Sequence, residues 1–112
     1  MFIMKKLKTL AVLLGATGIG MNLAGPAVAA DGETLFKQKT CFTCHGAAGK
    51  TPIMAGYPKI AGQDPVYALQ QMKDIKSGAR SNGMSAAMKG VMHLVTDEEM
   101  QAIADYVATL QP

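Results

Sequence analysis

The run Cys41-Phe42-Thr43-Cys44-His45 constrains this chain more than any other feature. Two cysteines separated by two residues and followed at once by histidine form the C-x-x-C-H signature of covalent haem attachment. In that chemistry the thiols add across the haem vinyl groups, and the adjacent imidazole reaches one face of the iron. No other cysteine occurs in the sequence. Three other uses of these residues are weaker. A Cys41–Cys44 disulfide needs only an oxidising compartment. A thioredoxin-like redox pair needs a βαβ surround, and none is readable here. A zinc site built on Cys41, Cys44, His45 and His93 lacks a second closely spaced ligand pair.

The first 29 residues read as a segment apart. Lys5, Lys6 and Lys8 precede an apolar run from Leu10 to Met21, and Ala27-Val28-Ala29 closes the stretch. A basic start, a short apolar centre and an Ala-x-Ala end describe a cleaved secretory signal. The apolar run is shorter than the roughly 20 residues that span a bilayer. The expected division is therefore a signal over 1–29 and one domain over 30–112, exported to the periplasm with no stable membrane insertion. Those three lysines account for the whole net charge of +3, since the remainder balances eight basic against eight acidic residues. A nucleic-acid-binding role needs a basic stripe, and the domain has none.

A domain of this size buries little surface and commonly needs a staple. Aromatic residues are few: Phe36, Phe42, Tyr57, Tyr67 and Tyr106 lie beyond the leader, and there is no Trp. A haem would supply the missing apolar bulk.

Three helices are readable, and no stretch alternates with period two, so the domain is expected to be all-α. The first starts near Asp31 and carries Leu35 and Phe36 towards the cysteines. Asp64 caps the second, with Pro65 in its first turn and Gly78 after its last. Its apolar stripe is Leu69, Met72 and Ile75. Thr96 and Glu99 form a capping box for the third, whose buried face is expected to be Met100, Ile103, Ala104, Val107 and Leu110. Gly46–Gly62 and Ser77–Val95 read as loops.

The iron's sixth ligand should come from the second of these loops, where Met84, Met88, Met92 and His93 are the candidates. Met72 and Met100 sit on helix stripes, where Met is usually core filler, and Met54 lies close to the attachment site in sequence. Spacing alone leaves the four open.

The segment Cys41–Gly46 near the start of the domain, a Met-containing loop and a terminal helix together resemble a class I cytochrome c. Tyr57-Pro58-Lys59-Ile60-Ala61-Gly62-Gln63, running into Tyr67–Gly78, resembles cytochrome c4-type domains. Met88–Leu110 resembles the small bacterial cytochromes c-553. In both groups the ligand Met stands eight residues before the Ser or Thr that caps the last helix. Counting back from Thr96 gives Met88, with Met84 second in order, Met92 third and His93 last.

The resemblance implies a small helical domain wrapped around one covalent haem c, with Cys41 and Cys44 as attachment points and iron held by His45 and Met88. It implies a single-electron carrier without a reaction of its own. Its expected partners are redox proteins such as membrane cytochrome complexes, a terminal oxidase or a periplasmic dehydrogenase. The alternatives are a haem-based gas-binding or sensor protein, or the haem subunit of a dehydrogenase. Tyr57, Pro58, Lys59 and Gln63 are candidates for the haem edge or its propionates. Lys37, Lys39, Lys50, Lys59 and Lys89 are candidates for a docking face.

Overall fold

Asp31 opens the first helix. Its carboxylate accepts a hydrogen bond from the Thr34 N–H at 2.8 Å, satisfying one of the donors that every helix start leaves free. The computed structural model describes residues 30–112, so the leader expected at 1–29 lies outside the described residues. Helix α1 spans Gly32–Gln38 and buries Leu35 and Phe36. A single turn, α2, follows at Cys41–His45. Helix α3, Pro65–Ser77, has the expected Asp64 cap and ends at Gly78. Helix α4 covers Ser85–Met92, and α5 covers Asp97–Thr109. Among the described residues there is no strand, as the all-α reading requires.

Two expectations are corrected. The stretch 77–95 is not one irregular loop, because α4 occupies its middle. Its start carries no capping side chain, since Met84 holds the cap position, and Gly90 interrupts its pattern. The helix exists because Ala86, Ala87, Met88 and Lys89 favour helix and because Met92 is packed away at its end. Leu110 is the second correction. It follows the last turn of α5 with extended backbone and is only half-buried.

Helices α1 and α3 both pack on α5, and α4 packs on α3. Phe36, Leu35, Met92, Val95, Met100 and Val107 are almost closed to solvent. Where α1 meets α5, Phe36 and Tyr106 lie edge to face with ring centres 5.5 Å apart, a contact worth about 0.5–1.5 kcal/mol beyond its area. A Cβ on Gly32 would stand 2.2 Å from the Ala102 carbonyl oxygen. Glycine is what lets these two backbones approach.

The capping box of α5 forms as its sequence predicts. The Glu99 N–H donates to Thr96 Oγ1 at 3.1 Å, and the Thr96 N–H donates to Glu99 Oε1 at 2.9 Å. Lys39 joins the end of α1 to this cap, donating to the Leu94 carbonyl at 2.9 Å and lying 3.6 Å from Glu99 Oε2. The Thr96 N–H, aided by Lys39, holds the Glu99 carboxyl below its ordinary value. A depressed carboxyl pKa stabilises the fold above the unfolded-state value, and that contribution disappears as pH falls through the folded-state value. Thr96→Ala should cost about 1 kcal/mol at neutral pH. Urea unfolding will measure it, and because the Thr96 N–H and Lys39 that hold the Glu99 carboxylate survive the substitution, the difference should persist in acid.

Candidate cofactor site

Thr40 begins the site. It is the one non-glycine residue among those described with positive φ, at φ 62 and ψ 22. That left-handed step turns the chain out of α1 and immediately into α2, so Cys41, Cys44 and His45 share one helical turn. Cys41 and Cys44 are half-buried and not bonded to each other. Burial pushes the Cys41 thiol up to about 11. Disulfide-exchange enzymes show the opposite, a thiol made acidic by its surroundings.

His45 is 7% exposed, and its orientation is fixed from behind. Nδ1 lies 2.8 Å from the Pro58 carbonyl oxygen. A carbonyl only accepts, so Nδ1 carries the proton and Nε2 is left with its lone pair for a ligand bond. A ligating histidine held by a backbone carbonyl is the usual second partner of a metal site. Pro58 is brought there by the loop between α2 and α3, which is tied down at several points. The Gly49 carbonyl accepts from Ile60 and Ala61, and the Gly62 N–H donates to the Val107 carbonyl at 2.9 Å.

These residues open onto a cavity of about 360 Å³, within the roughly 300–1,000 Å³ of small-molecule and cofactor sites. Cys41, Cys44 and His45 line it from α2, and Ile75, Ile103 and Val107 supply apolar wall from α3 and α5. From the segment 84–92 come Met84, Met88 and Met92, spaced at i, i+4 and i+8 and so set along one side of a helix. Their environments differ. Met84 is 45% exposed, Met92 is 1% exposed in the core, and Met88 is half-buried against the core between them.

The remaining candidates separate cleanly. Tyr57, Pro58, Lys59 and Gln63 line the cavity. Met72 does so as well while belonging to the core, so its reading as filler alone was too narrow. His93 is exposed at the end of α4 and is not on the cavity wall. Met54 and Met100 are likewise off the wall. Of the lysines considered for a docking face, only Lys59 borders the cavity. Lys37 pairs with Glu33 at 3.5 Å, and Lys39 is engaged at the α5 cap. Of the four residues of the zinc set, Cys41, Cys44 and His45 line the cavity and His93 does not.

Two thiols and an imidazole on one turn, thioether sulfurs on another element and an apolar wall suit a covalent haem. That is the donor chemistry of a helical c-type haem domain. The family model for cytochrome c matches residues 29–111. The chain belongs to the cytochrome c family, whose cofactor is covalent haem c with iron. It is 40% identical to the thiosulfate dehydrogenase electron acceptor of Stutzerimonas stutzeri, over 80% of this chain and 42% of that protein. It is 38% identical to cytochrome c4 of Pseudomonas aeruginosa, over 94% of this chain and 48% of that one. Cytochrome c-553 of Nitratidesulfovibrio vulgaris is 31% identical over 96% of this chain and its own whole length. The chain thus spans about half the length of the first two relatives and the full length of the third. Among the described residues no helix is long and apolar enough to cross a membrane.

Proposed function

We propose that this protein is a periplasmic single-electron carrier whose haem is attached at Cys41 and Cys44 and whose iron is held by His45 and Met88. The observation that carries this reading is the meeting of Cys41, Cys44, His45 and the methionines of the 84–92 segment on one apolar cavity. When bound, the haem supplies an iron that exchanges one electron at a time between ferrous and ferric states. The protein's part is to hold both ligands through that exchange. Pro58 fixes the His45 ring, and a neutral imidazole with a neutral thioether fills the iron without requiring either side chain to gain or lose a proton. Met/His ligation favours a high reduction potential. The apolar wall acts in the same direction, because it disfavours the extra positive charge of the ferric state.

The names of the relatives support the class of partner. One is called an electron acceptor for thiosulfate dehydrogenase, which fits a dehydrogenase on the donor side. A membrane cytochrome complex or terminal oxidase suits the acceptor side. The leader over 1–29 delivers the domain to that compartment and is removed.

One preparation tests these points together. Protein from a periplasmic extract should have the intact mass of residues 30–112, or of the chain begun one residue later, plus one haem that acidified acetone does not release. Redox titration should give a single one-electron wave, and ferrous protein should bind carbon monoxide poorly. A mass without haem removes the attachment reading. Ready carbon monoxide binding by the unaltered protein replaces the carrier with a gas-binding haem protein.

A further inference from the structure

The cavity wall carries two cations, Lys59 and Arg80, and among the described residues no carboxylate. Unpaired charge beside an apolar cavity is costly unless an anion offsets it. Arg80 is the only arginine in the sequence, and it is half-buried. It is held from two directions. Its backbone N–H donates to the Asp74 carbonyl at 3.0 Å, and Nη1 donates to Gln71 Oε1 at 3.1 Å. Among the described residues no Asp or Glu lies within ion-pair distance of it, whereas Lys37 and Lys39 each have a carboxylate partner. Asn82 and the buried Ser85 add neutral polar groups to the same wall. The other titratable groups on the wall, besides the two cysteines, are His45 from α2, Tyr57 and Lys59 from the loop that follows it, and Tyr67 from α3. Helices α4 and α5 contribute none.

We infer that Arg80 anchors a propionate of the haem, with Gln71 as the positioning residue that holds the guanidinium. Haem has two propionate carboxylates and is otherwise largely apolar. A planar guanidinium fork matches a carboxylate through two parallel hydrogen bonds, which an ammonium group cannot reproduce. Arg80 has spare donors after its bond to Gln71, since a guanidinium offers five. Lys59 is exposed on a flexible stem and is the weaker anchor. The inference rests on the haem occupying the cavity beside Cys41 and Cys44.

The test measures reduction potential against pH in holoprotein carrying Arg80→Gln, Arg80→Lys, Gln71→Leu or Lys59→Gln. A propionate paired with Arg80 stays ionised, so it should add no pH dependence to the potential of the unaltered protein between about pH 5 and pH 8. In Arg80→Gln the ferric form gains stability from losing a nearby positive charge. The potential should fall on the order of tenfold in the ferric–ferrous equilibrium, about 59 mV for one electron. The freed propionate should also titrate in the neutral range, so the potential falls as pH rises. Arg80→Lys should recover most of the potential, and Gln71→Leu should show a partial pH dependence.

An Arg80→Gln protein that melts earlier but keeps the parent potential and pH profile overturns the inference. So does a pH dependence that appears in Lys59→Gln and not in Arg80→Gln. If Arg80→Gln yields no holoprotein, an unchanged pH profile in Gln71→Leu overturns it equally. Intact mass and absorption of each sample report separately on haem attachment, so failure of that reading shows there and not as an unaltered potential.

Discussion

Met88→Ala is expected to abolish the weak near-infrared sulfur-to-iron band of the ferric protein and to lower its reduction potential by on the order of 0.1–0.3 V, out of the roughly 0.8 V that axial ligation spans. The physical cause is the loss of a thioether that favours ferrous iron. With the sixth position open or weakly filled, the variant should also bind imidazole or carbon monoxide readily. Met84→Ala and Met92→Ala should keep the band. Their surroundings support that order, since Met92 is sealed in the core at 1% exposure and Met84 is 45% exposed. Met88 stands between them on the cavity wall, half-buried. Loss of the band in Met84→Ala alone would move the ligand one turn along the chain. Absence of the band from the parent protein, with His93→Ala opening a site, would mean two histidine ligands, although His93 stands away from the cavity.

The helices that can be read from the sequence are those whose ends carry their own chemistry. Asp31, Asp64 and Thr96 each accept a backbone N–H at the start of a helix, and such caps act over three residues, within reach of a local reading. Helices α2 and α4 lack that signal. Thr40 starts α2 by taking a left-handed conformation that a threonine does not ordinarily adopt. Met84 starts α4 with no side-chain cap at all. Their positions depend on what they pack against, and that information is not local.

The site divides in the same way. Cys41, Cys44 and His45 fall within five consecutive residues and announce themselves, whereas the Pro58 carbonyl that orients His45 is a backbone atom thirteen residues away. No side-chain pattern encodes it. Arg80 was equally hidden. A single arginine after a helix reads as solvated surface until the fold sets it on a cavity wall without an acid beside it. Its rarity in the composition was the only signal available.

Gly46→Ala is expected to destabilise the protein by about 3 kcal/mol or more, because two separate penalties fall on one residue. Gly46 follows His45 at φ 90 and ψ 158, a region of backbone space that is essentially restricted to glycine and costs other residues about 1–3 kcal/mol. A Cβ there would also stand 2.4 Å from the Thr51 carbonyl oxygen. That neighbour is backbone, so no rotamer change relieves the clash, and overpacking of this kind adds roughly 1–3 kcal/mol. Domains of this size are stable by only about 4–12 kcal/mol. The change also reaches the site, because the loop leaving Gly46 carries Pro58 and with it the hydrogen bond to His45. Gly83→Ala is the control. Gly83 has φ 56, and nothing lies within 4 Å of its would-be Cβ, so only the milder left-handed strain of about 1 kcal/mol applies. Denaturant midpoints of the two holoproteins will separate the contributions. Gly46→Ala should unfold well before Gly83→Ala and should alone shift the reduction potential. Equal midpoints would show that the loop after His45 yields to the added methyl, and that His45 is not held by the turn Gly46 makes.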